Sequence, residues 1–233
     1  YEPAKGIISD LFVNCPDLLD IVCNEKVTSA LNVILGEQFV MLPDSAAHWG
    51  YYNILHTDTT TAEQQGWMYH KEPDYRIVVV GIYLQDNQGD GGGLYLVPGT
   101  HKEPDPFVSL RKSLPGKQAK LKKSPWKRLL KTVSGNRLYN FEKPFLEHPR
   151  GLDVPSKSGD VLIFDMRLLH RSSFPLQKGL TPPGGKMSVF VHCSRNNQHV
   201  HNYVEYIKTK YKVYAHLHDP NRDTEHQTAR CND

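Results

Sequence analysis

Nowhere in the sequence do about 18 apolar residues follow one another, the length a helix needs to span a bilayer, so no membrane-crossing helix is expected. Cysteine is scarce. The four residues Cys15, Cys23, Cys193 and Cys231 form no C-x-x-C pair and are scattered along the chain. That pattern argues against a disulfide scaffold or a thiolate zinc site and suits free thiols in a reducing compartment. An apolar leader is lacking from the opening YEPAKG, so no signal peptide is expected and the expected location is cytoplasmic. Charge of one sign is lacking too: the formal net charge of +3 is too small to imply nucleic acid.

What is present suits an ordinary globular protein, with 39% hydrophobic and 23% charged residues. A length of 233 residues is enough for one sizeable core, and a single domain over 1–233 is expected. The charge is unevenly spread. From Arg111 to Arg137 there are ten Lys or Arg and no acid, inside the longest stretch without strand character, residues 102–158. Helical turns are expected there around WKRLLKTV. The run is either a solvated insert or a lid whose positive potential attracts an anionic substrate. It lacks the interleaved aromatics of a nucleic-acid platform.

The stretch CPDLLDIVCNEKVTSALNVILG places Leu18, Ile21, Val22, Leu31 and Ile34 near helical spacing, with Pro16 suited to a first turn and Gly36 to a stop. One amphipathic helix outside the core is expected. Six strand-like runs follow: EQFVMLP, WGYYNILH, YRIVVVGIYLQD, GGLYLVPG, GDVLIFDMRLLH and KMSVFVHCS. Without helices alternating between them, they argue for an antiparallel sandwich or barrel. Val200, Tyr203, Val204 and Ile207 then fall at i, i+3, i+4 and i+7, which predicts a closing helix. The polar tail from about 218 is expected to be mobile.

Two His-x-carboxylate pairs stand close together, His56 with Asp58 and His70 with Glu72. Either could hold a metal or be a polar turn. The first ends an apolar run, so its two side chains can face one side of a strand. GDVLIFDMRLLH ends on a further histidine, His170. If these strands are neighbours, His56, Asp58 and His170 supply two imidazoles and one carboxylate with open positions left over, the arrangement of non-haem Fe(II) oxygenases. Glu72 precedes Pro73 just before the next strand, so His70 and Glu72 read as a loop over the site.

Three elements, HTDTTTAEQQGWMYH, VVGIYLQDNQGDGGGLYLVPGTHK and GDVLIFDMRLLHRSS, resemble in order and spacing the phytanoyl-CoA dioxygenase-like (PhyH) family of Fe(II)/2-oxoglutarate oxygenases. The resemblance implies a mainly β fold with flanking helices, a double-stranded β-helix or jelly-roll, cupin-like barrel. It also implies a hydroxylase whose iron is held by His56, Asp58 and His170. Its co-substrates would be 2-oxoglutarate and O2, its products succinate and CO2, and ascorbate its stimulant. In that family an Arg about eleven residues after the second histidine usually binds the distal carboxylate of 2-oxoglutarate. Here the position falls in LTPPGGKMSVF, and Lys186 is the expected substitute, a point charge without the fork of Arg. Tyr52, Asn53, Tyr83 and Gln85 are further candidate contacts.

The remaining histidines read plainly. His101 is expected in a structural turn, and His192, His199 and His201 at a strand end and helix start. His216, His218 and His226 lie in or beside the tail. GDGGG reads as a tight hairpin turn or bulge, since no helix pattern follows it. The expected partner is a small organic substrate, with no nucleic acid and no membrane. Two other functions fit the residues: a non-catalytic metal-binding barrel, supported by Lys in place of Arg, and a zinc-dependent cupin-like hydrolase or isomerase.

Overall fold

The computed structural model describes residues 6–50, 55–59, 72, 74–87, 92–102, 148–173 and 186–210. In chain order the elements are β1 (Gly6–Ser9), α1 (Leu11–Asn14), a 3-10 turn (Pro16–Leu18), α2 (Leu19–Val22), α3 (Glu25–Leu35) and β2 (Phe39–Trp49). There follow β3 (Ile77–Tyr83), β4 (Leu94–Val97), β5 (Leu152–Val154), β6 (Val161–Asp165), β7 (Leu169–Ser172), β8 (Met187–Arg195) and α4 (Gln198–Lys210). The strands form two sheets, β1-β2-β8-β3-β6 and β5-β4-β7. Every pairing is antiparallel. The antiparallel pairing is what the strand pattern predicts, and two such sheets make the jelly-roll, cupin-like class that the family resemblance implies.

The seven residues of β3 are all buried, which explains its unbroken IVVVGIY run: a strand covered on both faces has no polar side to present. Strand alternation splits the core in two. Val78, Val80 and Ile82, with Val189 and Val191 of β8, pack against Val27, Leu31 and Leu35 of α3. On the opposite face Ile77, Val79 and Tyr83 meet Phe164 and the inner side of α4, where Val200, Tyr203, Val204 and Ile207 are buried as their spacing predicts. The candidate site lies on this second face.

Three expectations change. The single helix over 16–36 is broken, because Asn24 is extended (φ −60°, ψ 139°) and its side chain accepts from the Lys26 N–H at 3.0 Å, capping a new helix. Gly36 does end it, with φ 94°. Ile21 and Ile34 are exposed, and Val27 and Leu35 are buried in their place. EQFVMLP and the start of WGYYNILH fuse into β2, which passes Pro43 at a register shift between Met41 and Ser45. A bulge tolerates a residue without an N–H. Finally, GDVLIFDMRLLH is two strands. Asp165 accepts from the Arg167 and Leu168 N–H groups, each at 2.9 Å, and turns the chain from β6 in one sheet to β7 in the other. The short strands β1 and β5 were not expected at all. Within 102–158, residues 103–147 and thus the basic run lie outside the described residues, as does the tail.

No helix among the described residues is long and apolar enough to cross a membrane. Leu31 is fully buried whereas Val33, two positions on, is 88% exposed. Leu31→Ala is expected to cost about 2–5 kcal/mol, and Val33→Ala to change stability by less than about 0.5 kcal/mol, as read from urea unfolding midpoints.

Candidate metal centre

His56 and His170 come together through the backbone. Each N–H donates to the other's carbonyl at 2.8 Å, an isolated antiparallel bridge that sets the rings 4.4 Å apart between centroids. Asp58 is tied to the same corner, its N–H donating to the Met166 carbonyl at 3.2 Å. Asp58 Oδ1 then lies 3.4 Å from His56 Nε2 and 3.8 Å from His170 Nε2. One ligand atom from each of the three residues falls within 4.8 Å of the others. The three residues singled out in the sequence are therefore neighbours.

Their electrostatics suit a cation. Burial raises the Asp58 carboxyl, but His170, then His192 and His56, outweigh it and hold it well below the ordinary carboxylate range. Burial lowers His170 to about 4 despite Asp58, so its ring is neutral at pH 7. Its Nδ1 lies 2.9 Å from the Leu168 carbonyl, which can only accept; the proton sits there and Nε2 presents its lone pair to Asp58's side. Neutral imidazole and ionised carboxylate are the forms that bind metal.

The triad opens on a cavity of about 190 Å³ whose walls include Val79, Tyr83, Leu94, Phe164, Lys186 and Phe190. Lys186 is 3% exposed and donates to Ser172 Oγ at 2.8 Å, two residues past His170. Burial lowers its ammonium to about 8, and no carboxylate among the described residues offsets this. Of GDGGG, Gly92 and Gly93 are among the described residues. Gly92 (φ 87°) lies so close that a Cβ there would stand 3.2 Å from Lys186 Cβ and Cγ. Tyr83 also lines the cavity, its hydroxyl pushed far up by burial.

Other candidates lie elsewhere. Gln85 is not part of the wall; it donates to Asn87 Oδ1 at 2.8 Å and accepts from the Met187 N–H at 2.7 Å, bracing the strand end beside Lys186. Tyr52, Asn53 and His70 lie outside the described residues. Glu72 is exposed and faces His199 Nε2 at 3.6 Å, away from the triad. His192 is a correction: it is not a plain strand-end residue but a buried wall of the cavity. Alternation could have found it, since Phe190 and His192 share one face of β8 and Lys186, just before the strand, lines the same cavity. Asp44, His48 and Tyr203 were missed too.

The family model described as phytanoyl-CoA dioxygenase (PhyH) matches residues 20–174. The chain belongs to the phytanoyl-CoA dioxygenase family. That is a family of Fe(II)- and 2-oxoglutarate-dependent dioxygenases, and the match runs from the helical layer through His56, Asp58 and His170. Among solved structures, HygX from Streptomyces hygroscopicus with nickel and 2-oxoglutarate bound has a TM-score of 0.55 and 15% identity, covering 83% of this chain and 71% of its own. EctD from S. alaskensis with bound Fe has a TM-score of 0.51 and 17% identity, covering 81% of this chain and 56% of its own. EvdMO1 has a TM-score of 0.50 and 17% identity, and covers 82% of this chain, which spans only 35% of EvdMO1. These likenesses concern the fold. No curated protein matches by sequence.

The site makes this PhyH-family chain acid-sensitive. Burial, with a lesser contribution from Lys186, lowers His48 to about 4, as burial lowers His170. Between about pH 6.5 and 4 the unfolded chain therefore binds protons that the folded one refuses, and stability falls as pH falls through that window. Urea midpoints of the metal-free protein are expected to drop from pH 7 to pH 4.5, and His48→Gln to drop less.

Proposed function

We propose that the chain is an Fe(II)- and 2-oxoglutarate-dependent oxygenase that hydroxylates a C–H bond of a small or medium organic substrate. His56, Asp58 and His170 hold the iron, and Lys186 grips the distal carboxylate of 2-oxoglutarate. The observation that carries this reading is the meeting of three ligand atoms and the buried Lys186 on a single cavity. The donor set fits a divalent metal with positions to spare. Bound iron would supply dioxygen activation, with 2-oxoglutarate giving two electrons and leaving as succinate and CO2.

The chain's own residues do the rest. Asp58 is an ionised acceptor beside the neutral imidazole of His170, an anion set to face a dication. Its carboxylate also fills the place that halide takes in related halogenases, which favours hydroxylation or desaturation. Lys186 and Ser172 together offer an ammonium and a hydroxyl to a carboxylate. An anion entering there would satisfy a buried charge that burial otherwise disfavours. Val79, Leu94, Phe164 and Phe190 keep the surroundings dry, which strengthens each of these attractions. Basic residues over 111–137 favour an anionic substrate, on sequence alone.

The test is succinate formation with Fe(II), 2-oxoglutarate and ascorbate, under air and under nitrogen. Turnover is expected only under air, and Asp58→Ala is expected to abolish it. Lys186→Met is expected to raise the 2-oxoglutarate KM about tenfold or more, equivalent to about 1.4 kcal/mol. Activity on a substrate that persists without oxygen would instead identify a zinc-type hydrolase or isomerase. Metal binding with no 2-oxoglutarate turnover would make the chain a binding module.

A further inference from the structure

The two oxygens of Asp58 face different partners. Oδ1 looks towards His56 and His170, whereas Oδ2 lies 3.9 Å from His192 Nε2. His192 is in turn placed by the irregularity in β2. Met41 pairs with Cys193 and Ser45 with Val191, so Leu42, Pro43 and Asp44 stand opposite His192 alone. The bulge carries the Asp44 carbonyl to 2.6 Å from His192 Nδ1. Bulges of this kind re-aim side chains beside active sites. From the other side, Tyr203 of α4 donates its hydroxyl to Asp44 Oδ2, holding the bulge in place.

Hydrogen-bond chemistry limits what this ring can be. A carbonyl only accepts, so Nδ1 carries a hydrogen. Nε2 is buried without a hydrogen-bond partner and faces a carboxylate oxygen. A hydrogen bond between the two would satisfy both the buried nitrogen and the carboxylate oxygen it faces. The terminal torsion of an aspartate is soft, so a small carboxylate rotation brings Oδ2 within hydrogen-bond reach.

We propose that His192 is the positioning residue for Asp58: it donates to the oxygen turned away from the two histidines, leaving the other to the metal. Asp44 in the β2 bulge and Tyr203 on α4 aim it. This rests on reading the triad as a metal centre. The residue does not join that centre, since the ligand atoms that cluster belong to His56, Asp58 and His170. Outer partners of this kind typically change metal affinity by about 10–100-fold when removed.

The experiment titrates Co(II) into the full chain without oxygen, following its visible absorption, with circular dichroism and thermal melts to check folding. His192→Phe and His192→Met remove the donor and differ in shape, so one remains informative if the other does not fold. Both are expected to weaken Co(II) binding about 10–100-fold and shift the absorption band. His192→Gln, whose amide can still donate, is expected to keep binding within about threefold of wild type by the same reasoning. Folded non-donor variants with wild-type affinity and spectrum would overturn the proposal. So would a Gln variant as impaired as the others, with melting temperatures lowered in step, which is the signature of packing alone. Asp58→Ala separates the two readings: if it abolishes a Co(II) affinity that the His192 variants retain, the metal centre stands and the role of His192 falls. If the wild-type chain binds no Co(II), both fall together.

Discussion

Two hydrogen bonds hold the site together, the pair exchanged between the backbones of His56 and His170 at 2.8 Å each. They close a loop of over a hundred residues and bring one ligand from each end of it to the same corner. Because antiparallel partners across such a bridge carry side chains on the same face, closing it also brings the rings side by side. Asp58 follows from the same constraint, since its own N–H is caught by Met166 in the turn before β7. The three candidate ligands are thus brought together by main-chain pairing, which every residue type can make, and only their side chains need particular chemistry.

That division explains what was legible in the sequence. The candidate ligands were visible because they sit at or just past the end of an apolar run, where a polar residue is conspicuous. Lys186 was visible because it opens one. The corner was not. GDVLIFDMRLLH has no glycine or proline between its first residue and His170, so nothing in its apolar pattern marks where one sheet ends and the next begins. The turn is made instead by Asp165, whose side chain and carbonyl take the next N–H groups. Asn24 is a similar case: it caps a helix within a stretch whose periodicity alone reads as continuous.

Alternation along β8 could have put His192 on the cavity face, but its partners were hidden for a different reason. A histidine near the end of a strand is ordinarily a surface residue, and the sequence of β8 gives no hint of what lies across from it. Its environment comes from a bulge in another strand, about 150 residues earlier, and from a helix that follows. Such a contact depends on register, and register is not written in either strand by itself. The cavity wall therefore combines elements from the whole described chain, although the family resemblance rests on three local ones.

Gly92 links two features that are usually discussed apart. Its φ of 87° is one that glycine adopts freely, and its missing side chain also makes room for the stem of Lys186. The loop and the buried cation are consequently a single fitted part. Position 92 cannot drift to a bulkier residue without moving the lysine, and a longer cation at 186 would have to find its space elsewhere. The space the lysine stem occupies is thus set by a residue some ninety positions earlier, so a change at either position is felt at the other.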